Sequence, residues 1–178
     1  VITGIVLAAG AGRRFGGPKA FARSDGQTWV ARAVESLVGA GCGPVIVTVP
    51  ELRDLEFSDA HPIVVASSEG QSASLRAALD ALPGDAVAVM ITLVDLPDVD
   101  AAVVGRVIER AGPVTPEVLA RATYGGEPGH PVLIGRAHFD ALRQSLGGDR
   151  GARHYLTAHS TQAIECADLA SGVDVDER

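Results

Sequence analysis

Short, continuous apolar runs alternate with helix-periodic stretches, and this alternation limits the folds open to the chain more than any other feature. Ile5-Val6-Leu7-Ala8, Val45-Ile46-Val47-Thr48-Val49 and the run from Val87 to Val94 are apolar with almost no interruption. A strand with one wet face alternates apolar and polar residues; a strand covered on both faces does not. Ile63-Val64-Val65 reads as a further strand of this buried kind. Between the runs, Trp29 to Val38 puts Val30, Val34, Leu37 and Val38 on one helical face and stops at Gly39 and Gly41. Ser72 to Leu82 carries Leu75, Ala78, Leu79 and Leu82 at i, i+3, i+4 and i+7. A third helix starts at Asp100, a good N-cap residue, and carries Val103, Val104, Val107 and Ile108.

The second half is less regular. Val118 to Tyr124 reads as a strand, Gly125 to Gly129 as a turn and Pro131 to Ile134 as its return partner. Phe139 to Leu146 and Ala152 to His159 read as helices, and Gln162 to Ala167 as a last strand. The expected fold class is therefore α/β: three layers, with a mainly parallel, mixed sheet between helices on both faces, in one domain over residues 1–178. In such sheets ligands bind beyond the carboxyl ends of the strands. That rule puts the loop after Ala8 and the Asp95 that ends the 87–94 run on one edge.

Charge and cysteine narrow the function. A formal net charge of −7 argues against general nucleic-acid or anionic-membrane partners, which need a basic surface. No apolar run reaches the roughly 20 residues that span a bilayer. Cys42 and Cys166 match no Cys-x-x-Cys pattern and read as buried free thiols, so the expected compartment is the reducing cytoplasm.

The first apolar run leads into Leu7-Ala8-Ala9-Gly10-Ala11-Gly12-Arg13-Arg14-Phe15-Gly16-Gly17-Pro18-Lys19. Small residues let backbone approach a ligand, and free N–H groups cradle phosphate oxygens. Arg13, Arg14 and Lys19 add cations. Lys19 is the single lysine among the chain's 15 Lys and Arg residues. A compact ammonium on a flexible stem suits a phosphate site. The segment is not a P-loop, which needs Gly-Lys-Ser/Thr where Gly17-Pro18-Lys19 stands. Nor is it the dinucleotide fingerprint, whose third glycine is replaced by Phe15. Asp95, in Val94-Asp95-Leu96-Pro97, offers a hard oxygen ligand suited to Mg²⁺ on phosphates, although a turn or capping role fits it equally.

The loop resembles the signature L-A-A-G-x-x-x-R-[MF]-G-x-x-K of the MobA-like nucleotidyltransferases, and within them is similar to the molybdopterin cytidylyltransferases. The resemblance implies a nucleotide-diphospho-sugar transferase-like fold and a loop that wraps base and triphosphate, with Leu7, Ala8, Ala9, Gly10, Gly12, Arg13, Arg14 and Lys19 at the nucleotide. It implies base-reading roles for Gln71, Ser72 and Ser74 of Gly70-Gln71-Ser72-Ala73-Ser74-Leu75; Ser72 equally suits helix capping. His130 of Gly129-His130-Pro131 and Asp149 of Gly148-Asp149-Arg150-Gly151 fall on the acceptor side. Val173-Asp174-Val175-Asp176 resembles a C-terminal acidic element, with Asp176 aligned best as the partner of Asp95 at the metal.

The implied reaction uses Arg14, Lys19 and Asp95 as catalytic groups, with Mg²⁺ as cofactor. It moves CMP from CTP, or another nucleotide from its triphosphate, onto a phosphate of molybdopterin. A molybdoenzyme maturation chaperone is a further implied partner. A sugar-phosphate or other alcohol-phosphate acceptor, a silent nucleotide-binding or chaperone-like module, and an NAD-dependent oxidoreductase are the alternatives.

Overall fold

The computed structural model describes residues 1–53, 55, 57, 59–148 and 150–177. The first half contains β1 (Ile2–Leu7), a small hairpin of β2 (Arg23–Ser24) and β3 (Gln27–Thr28), α1 (Trp29–Gly39), β4 (Val45–Val49), β5 (Ala60–Val64) and α2 (Gly70–Asp80). It continues with β6 (Ala88–Leu93), α3 (Ala101–Ala111), β7 (Leu119–Tyr124), β8 (Glu127–Gly135), α4 (Phe139–Ser145), α5 (Arg153–Ala158) and β9 (Gln162–Glu165). The main sheet has the order β5-β4-β1-β6-β8-β7-β9. β1 is parallel to β4 and β6, β4 to β5, and β7 to β9; β8 runs antiparallel between β6 and β7.

The uninterrupted apolar runs become central strands because both sheet faces are covered. On one face Val6, Val47, Met90 and Leu133 pack beneath Val30, Val34 and Leu37 of α1 and Val103, Val104 and Val107 of α3. On the other, Ile5, Ile46, Val89, Ile91, Val132 and Ile134 meet Leu75 and Leu79 of α2, Phe139 and Leu142 of α4, and Tyr155 and Leu156 of α5. The result is the three-layer Rossmann-like fold read from the sequence. Thr28 caps α1 by accepting from the Ala31 N–H, and Asp100 caps α3 by accepting from Ala102 and Val103. Both cysteines are buried and free; burial pushes the Cys42 thiol up to about 12.

Three details differ from the expectation. The strand at 60–64 is not buried but closes the sheet edge, leaving Val64 exposed; an apolar run alone does not distinguish an edge from the centre. Val38 lies off the packed face of α1, 39% exposed. The turn expected over 125–129 is only Gly125-Gly126: Tyr124 pairs with Glu127, and both glycines have positive φ (60° and 84°), the backbone of a two-residue I′ hairpin. Pro128, Gly129 and His130 therefore lie inside β8.

That hairpin is held by a residue with no visible sequence signal. Glu165 accepts from the N–H groups of Gly125 (2.9 Å), Gly126 (3.0 Å) and Ala167 (2.9 Å) and from the Thr123 hydroxyl (3.1 Å). These bonds, the one from Gly125 foremost, hold its carboxyl at about 2 against an ordinary 4.5. A depressed carboxyl pKa stabilises the fold fully above 4.5, and the contribution disappears as pH falls through about 2. Thermal melts should show Glu165→Gln with a lower Tm than the parent at pH 7, and the gap should narrow steadily from pH 4.5 downward. A gap independent of pH would show that the charge is not what holds the hairpin.

Candidate active site

β1 and β6 pair in register, with Leu7 opposite Leu93, and the Val94 N–H donates to the Leu7 carbonyl at 3.3 Å. The chain after β1 and the chain after β6 therefore leave the sheet side by side. After β1, the Gly12 carbonyl accepts from both Gly16 (2.9 Å) and Gly17 (3.0 Å), closing a tight turn. Gly12 has φ +58°, and a Cβ there would lie 1.9 Å from the Gly17 carbonyl oxygen, so this turn admits only glycine. Gly10 differs: a Cβ would meet nothing within 4 Å, so the missing side chain leaves room for a ligand rather than for the protein. Phe15 is buried with its ring 5.0 Å from that of Trp29, which ties the turn to the start of α1. Its neighbours Arg13 and Arg14 are exposed.

Lys19 opens a short 3-10 turn over Lys19–Phe21 and extends its ammonium to Asp95 (2.8 Å) and Asp176 (3.2 Å). The side chains of Lys19 and Asp95 are 14% and 17% exposed, that of Asp176 48%, so the contact with Asp95 is the less screened of the two. Desolvation works against the ammonium, but the hydrogen bonds and charges of Asp95 and then Asp176 outweigh it and raise its pKa above the ordinary value. The reciprocal hydrogen bond and charge of Lys19 hold the Asp176 carboxyl below the usual range, with a smaller effect of Arg14.

Asp176 reaches this edge because the C-terminal segment is fastened twice. Asp98 accepts from the Ser171 N–H and hydroxyl, both at 2.6 Å, and the Val175 N–H donates to the Asp95 carbonyl at 3.0 Å. Between them Gly172, at φ +64°, passes the Tyr124 ring at a distance that leaves no space for a Cβ. One carboxylate oxygen each from Asp95, Asp174 and Asp176 lie within 4.8 Å of one another. Three hard oxygen donors at this spacing fit an Mg²⁺- or Mn²⁺-type cation.

Lys19, Asp95 and Asp176 line one cleft of about 370 Å³, within the roughly 300–1,000 Å³ usual for small-molecule sites. Its floor and loop wall are Leu7, Ala8, Ala9, Gly10 and Gly12, and Arg13, Arg14 and Lys19 supply its cations. Gln71 and Ser74 enter from the first turns of α2, whose N-terminal dipole favours an anion. Asp95 and Asp176 close the acidic side.

Ser72 and His130 are not on the cleft wall. Ser72 is buried and caps nothing; its N–H donates to the Gly148 carbonyl at 3.2 Å. His130 lies on β8, where burial and the charge of Arg121 push its imidazole down to about 4, so it is neutral at pH 7. Asp149 lies outside the described residues. The sequence reading did not place Phe15, Ser67 and Gly70 in the cleft wall. Phe15 had a signal, because the same signature that picks out Arg14 specifies Met or Phe next. Ser67 had none.

Residues 4–163 match the MobA-like NTP transferase domain family, and the chain belongs to it. It is 31% identical to the nicotine blue oxidoreductase of Paenarthrobacter nicotinovorans over 98% of this chain and 92% of that protein. It is similar to the crystal structure of Rv0371c from Mycobacterium tuberculosis, 28% identical with a TM-score of 0.76 over 99% of this chain and 93% of that one. The same protein has also been solved in complex with manganese. The molybdopterin-guanine dinucleotide biosynthesis protein A of Archaeoglobus fulgidus, 18% identical with a TM-score of 0.70 over 99% of this chain and 93% of that one, shares the fold.

If the three carboxylates form one cation site, titrations with Mn²⁺ followed by electron paramagnetic resonance should show it. Asp95→Asn should weaken binding on the order of tenfold or more, because it removes the most enclosed donor. Asp174→Asn and Asp176→Asn should each weaken it less. Binding unchanged in all three variants would separate the acidic cluster from metal.

Proposed function

We propose that this chain transfers a nucleotide from a nucleoside triphosphate to a phosphate-bearing acceptor and releases pyrophosphate. The observation that carries the reading is the Lys19 ammonium on Asp95, at 2.8 Å, under a glycine loop with two exposed arginines. One cleft thus offers cations and open amides for a polyphosphate beside carboxylates for a divalent cation. A polyanion is favoured there despite the overall charge of −7, because the local field and not the net charge acts on a bound ligand.

Arg13, Arg14 and the loop amides bind and orient the triphosphate. An oxygen of the acceptor phosphate attacks the α-phosphorus, the bond to the β-phosphate bridge oxygen breaks, and pyrophosphate leaves carrying that electron pair. An acceptor phosphate is already anionic near pH 7, so no strong base is needed, and the protein acts by alignment and charge stabilisation. Lys19, whose charge its two acids secure, stabilises negative charge on the leaving side. A divalent cation, Mg²⁺ first among those to test, would be held by Asp95, Asp174 and Asp176 and would neutralise phosphate oxygens. Gln71 and Ser74, on the cleft wall, would contact the base. CTP is the first nucleotide to test because Ala8-Ala9-Gly10 resembles the cytidylyl-type loop, and molybdopterin is the first acceptor.

The 31% identity to a nicotine blue oxidoreductase supports a second reading, an oxidoreductase, for which the nicotinamide cofactor of the sequence alternative is the first to test. Against it, Phe15 fills with a buried ring the position where a dinucleotide loop needs its third glycine. Two assays separate the readings. With Mg²⁺, molybdopterin and each of CTP, GTP and ATP, pyrophosphate release should be fastest with CTP. Lys19→Ala should slow it by about 10²–10³. NADH or NADPH oxidation with a quinone-like dye, and no pyrophosphate from any nucleotide, would replace the transferase with the reductase.

A further inference from the structure

Arg121 stands at the middle of β7 with 9% of its surface exposed. Its Nη2 donates to the Gly129 carbonyl at 3.2 Å, while its Nε is buried without a hydrogen-bond partner. No carboxylate among the described residues pairs with it. The charged group that does act on it is another cation, Arg153 at the start of α5. A buried guanidinium is normally paired, because an uncompensated charge in the interior is costly. Neither the cleft nor the packing of β7 explains its retention here.

The surroundings supply the reason. Leu119 on β7 and Val132 and Ile134 on β8 face the layer of α2, α4 and α5, so the two-residue period places Arg121, two residues after Leu119, on that same face. His130 directly follows Gly129, whose carbonyl accepts from Arg121. The approach to α5 is also a wall of the nucleotide cleft. Gly148 accepts from the Ser72 N–H, and Gly151, at φ +51°, fits against the Gln71 amide so closely that a Cβ would lie 2.4 Å from its oxygen. Gln71 lines the cleft. Ser72 carries a second buried polar atom without a partner, its Oγ. Arg121 thus acts on both His130 and Arg153, and Arg153 follows by two residues the Gly151 that abuts Gln71 of the cleft wall. None of the three lines the cleft or belongs to the cluster of Lys19 and Asp95.

We propose that Arg121, with Arg153 and His130 beside it, binds an oxyanion of the acceptor, a phosphate or a carboxylate, next to the nucleotide. The planar guanidinium fork matches either group with two hydrogen bonds. The bound anion replaces the missing counter-ion, and the neutral imidazole adds a donor without adding to the repulsion between the arginines. That the anion belongs to the acceptor rests on the transfer reaction proposed above; the anion site itself does not.

The test uses inorganic phosphate, acetate and chloride at matched ionic strength on the full chain, read as Tm. Phosphate or acetate should raise the Tm of the parent saturably above the chloride control, and the stronger of the two identifies the group recognised. Arg121→Met keeps the length of the side chain and removes the charge. It should weaken the anion response tenfold or more, and without anion it should melt at or above the parent, because an unpaired buried charge has gone. Lys19→Ala should keep the Arg121-dependent response. Identical titrations of the parent and Arg121→Met, or an anion-free Arg121→Met that melts below the parent, would overturn the site and make Arg121 structural. The stabilisation by CTP should be equal in the parent and Arg121→Met. Its absence from both would count against the transferase and leave the anion result standing.

Discussion

The in-register parallel pairing of β1 with β6 is the constraint on which the rest of the molecule depends. Leu7 and Leu93 end opposite each other, so the glycine loop and Asp95 begin as neighbours before any side chain makes contact. The register is well defended. Ile5 and Val89 face one helical layer and Val6 and Met90 the other, so a slip of one residue would turn every one of them to the wrong face. The 2.8 Å contact between Lys19 and Asp95 is thus a late consequence of strand pairing at the core.

On this frame the cleft is built from pieces of very different stability. The loop is held by backbone geometry at Gly12 and by the Phe15–Trp29 contact, both local to β1 and α1. The acidic side needs a segment from the far end of the chain. That segment has no regular structure and is secured by Asp98, Tyr124 and one backbone bond to Asp95. Tyr124 in turn donates to the His130 carbonyl at 2.6 Å, and Glu165 fixes the turn that follows Tyr124. The β7–β8 hairpin therefore supports both the acidic cluster, through the tail, and the neighbourhood of Arg121, through β8. Loss of the hairpin would loosen both the acidic side of the cleft and the surroundings of Arg121, which share no side chain.

What the sequence made legible was whatever is encoded locally. The buried strands announce themselves by unbroken apolar runs, α3 by Asp100 ahead of its valines, and the loop by glycines whose backbone freedom is used on the spot. Which turn closes the hairpin is not encoded locally, because three glycines in five residues allow several turns and the pairing of Tyr124 with Glu127 selects one. The edge position of β5 depends on what lies beside it, which Ile63-Val64-Val65 does not encode. The return of the tail to Asp95 was implied only by the resemblance that set Asp176 beside it. Glu165 and Arg121 were invisible for a common reason. Their meaning comes from partners distant in sequence, and a charged residue in a strand has no period to betray it.

The same logic explains why position 19 carries the chain's one lysine while every other basic residue of this kind is arginine. The ammonium must reach two carboxylates that approach from different segments, one from the end of β6 and one from the tail. A guanidinium is a planar fork suited to a single carboxylate or phosphate held in its plane, whereas an ammonium directs three donors around a point. With two donors on Asp95 and Asp176, a third remains for a ligand in the cleft. Arg14 is exposed on the loop and Arg121 is buried on β7 with a backbone carbonyl as its hydrogen-bond acceptor, so neither has a pair of acids to bridge. On the exposed surface Arg143 bridges Asp80 and Asp140, both at 3.0 Å, so two-acid bridging by itself does not demand lysine. The compact ammonium suits the enclosed position 19, where the same group also has to leave a donor for the cleft.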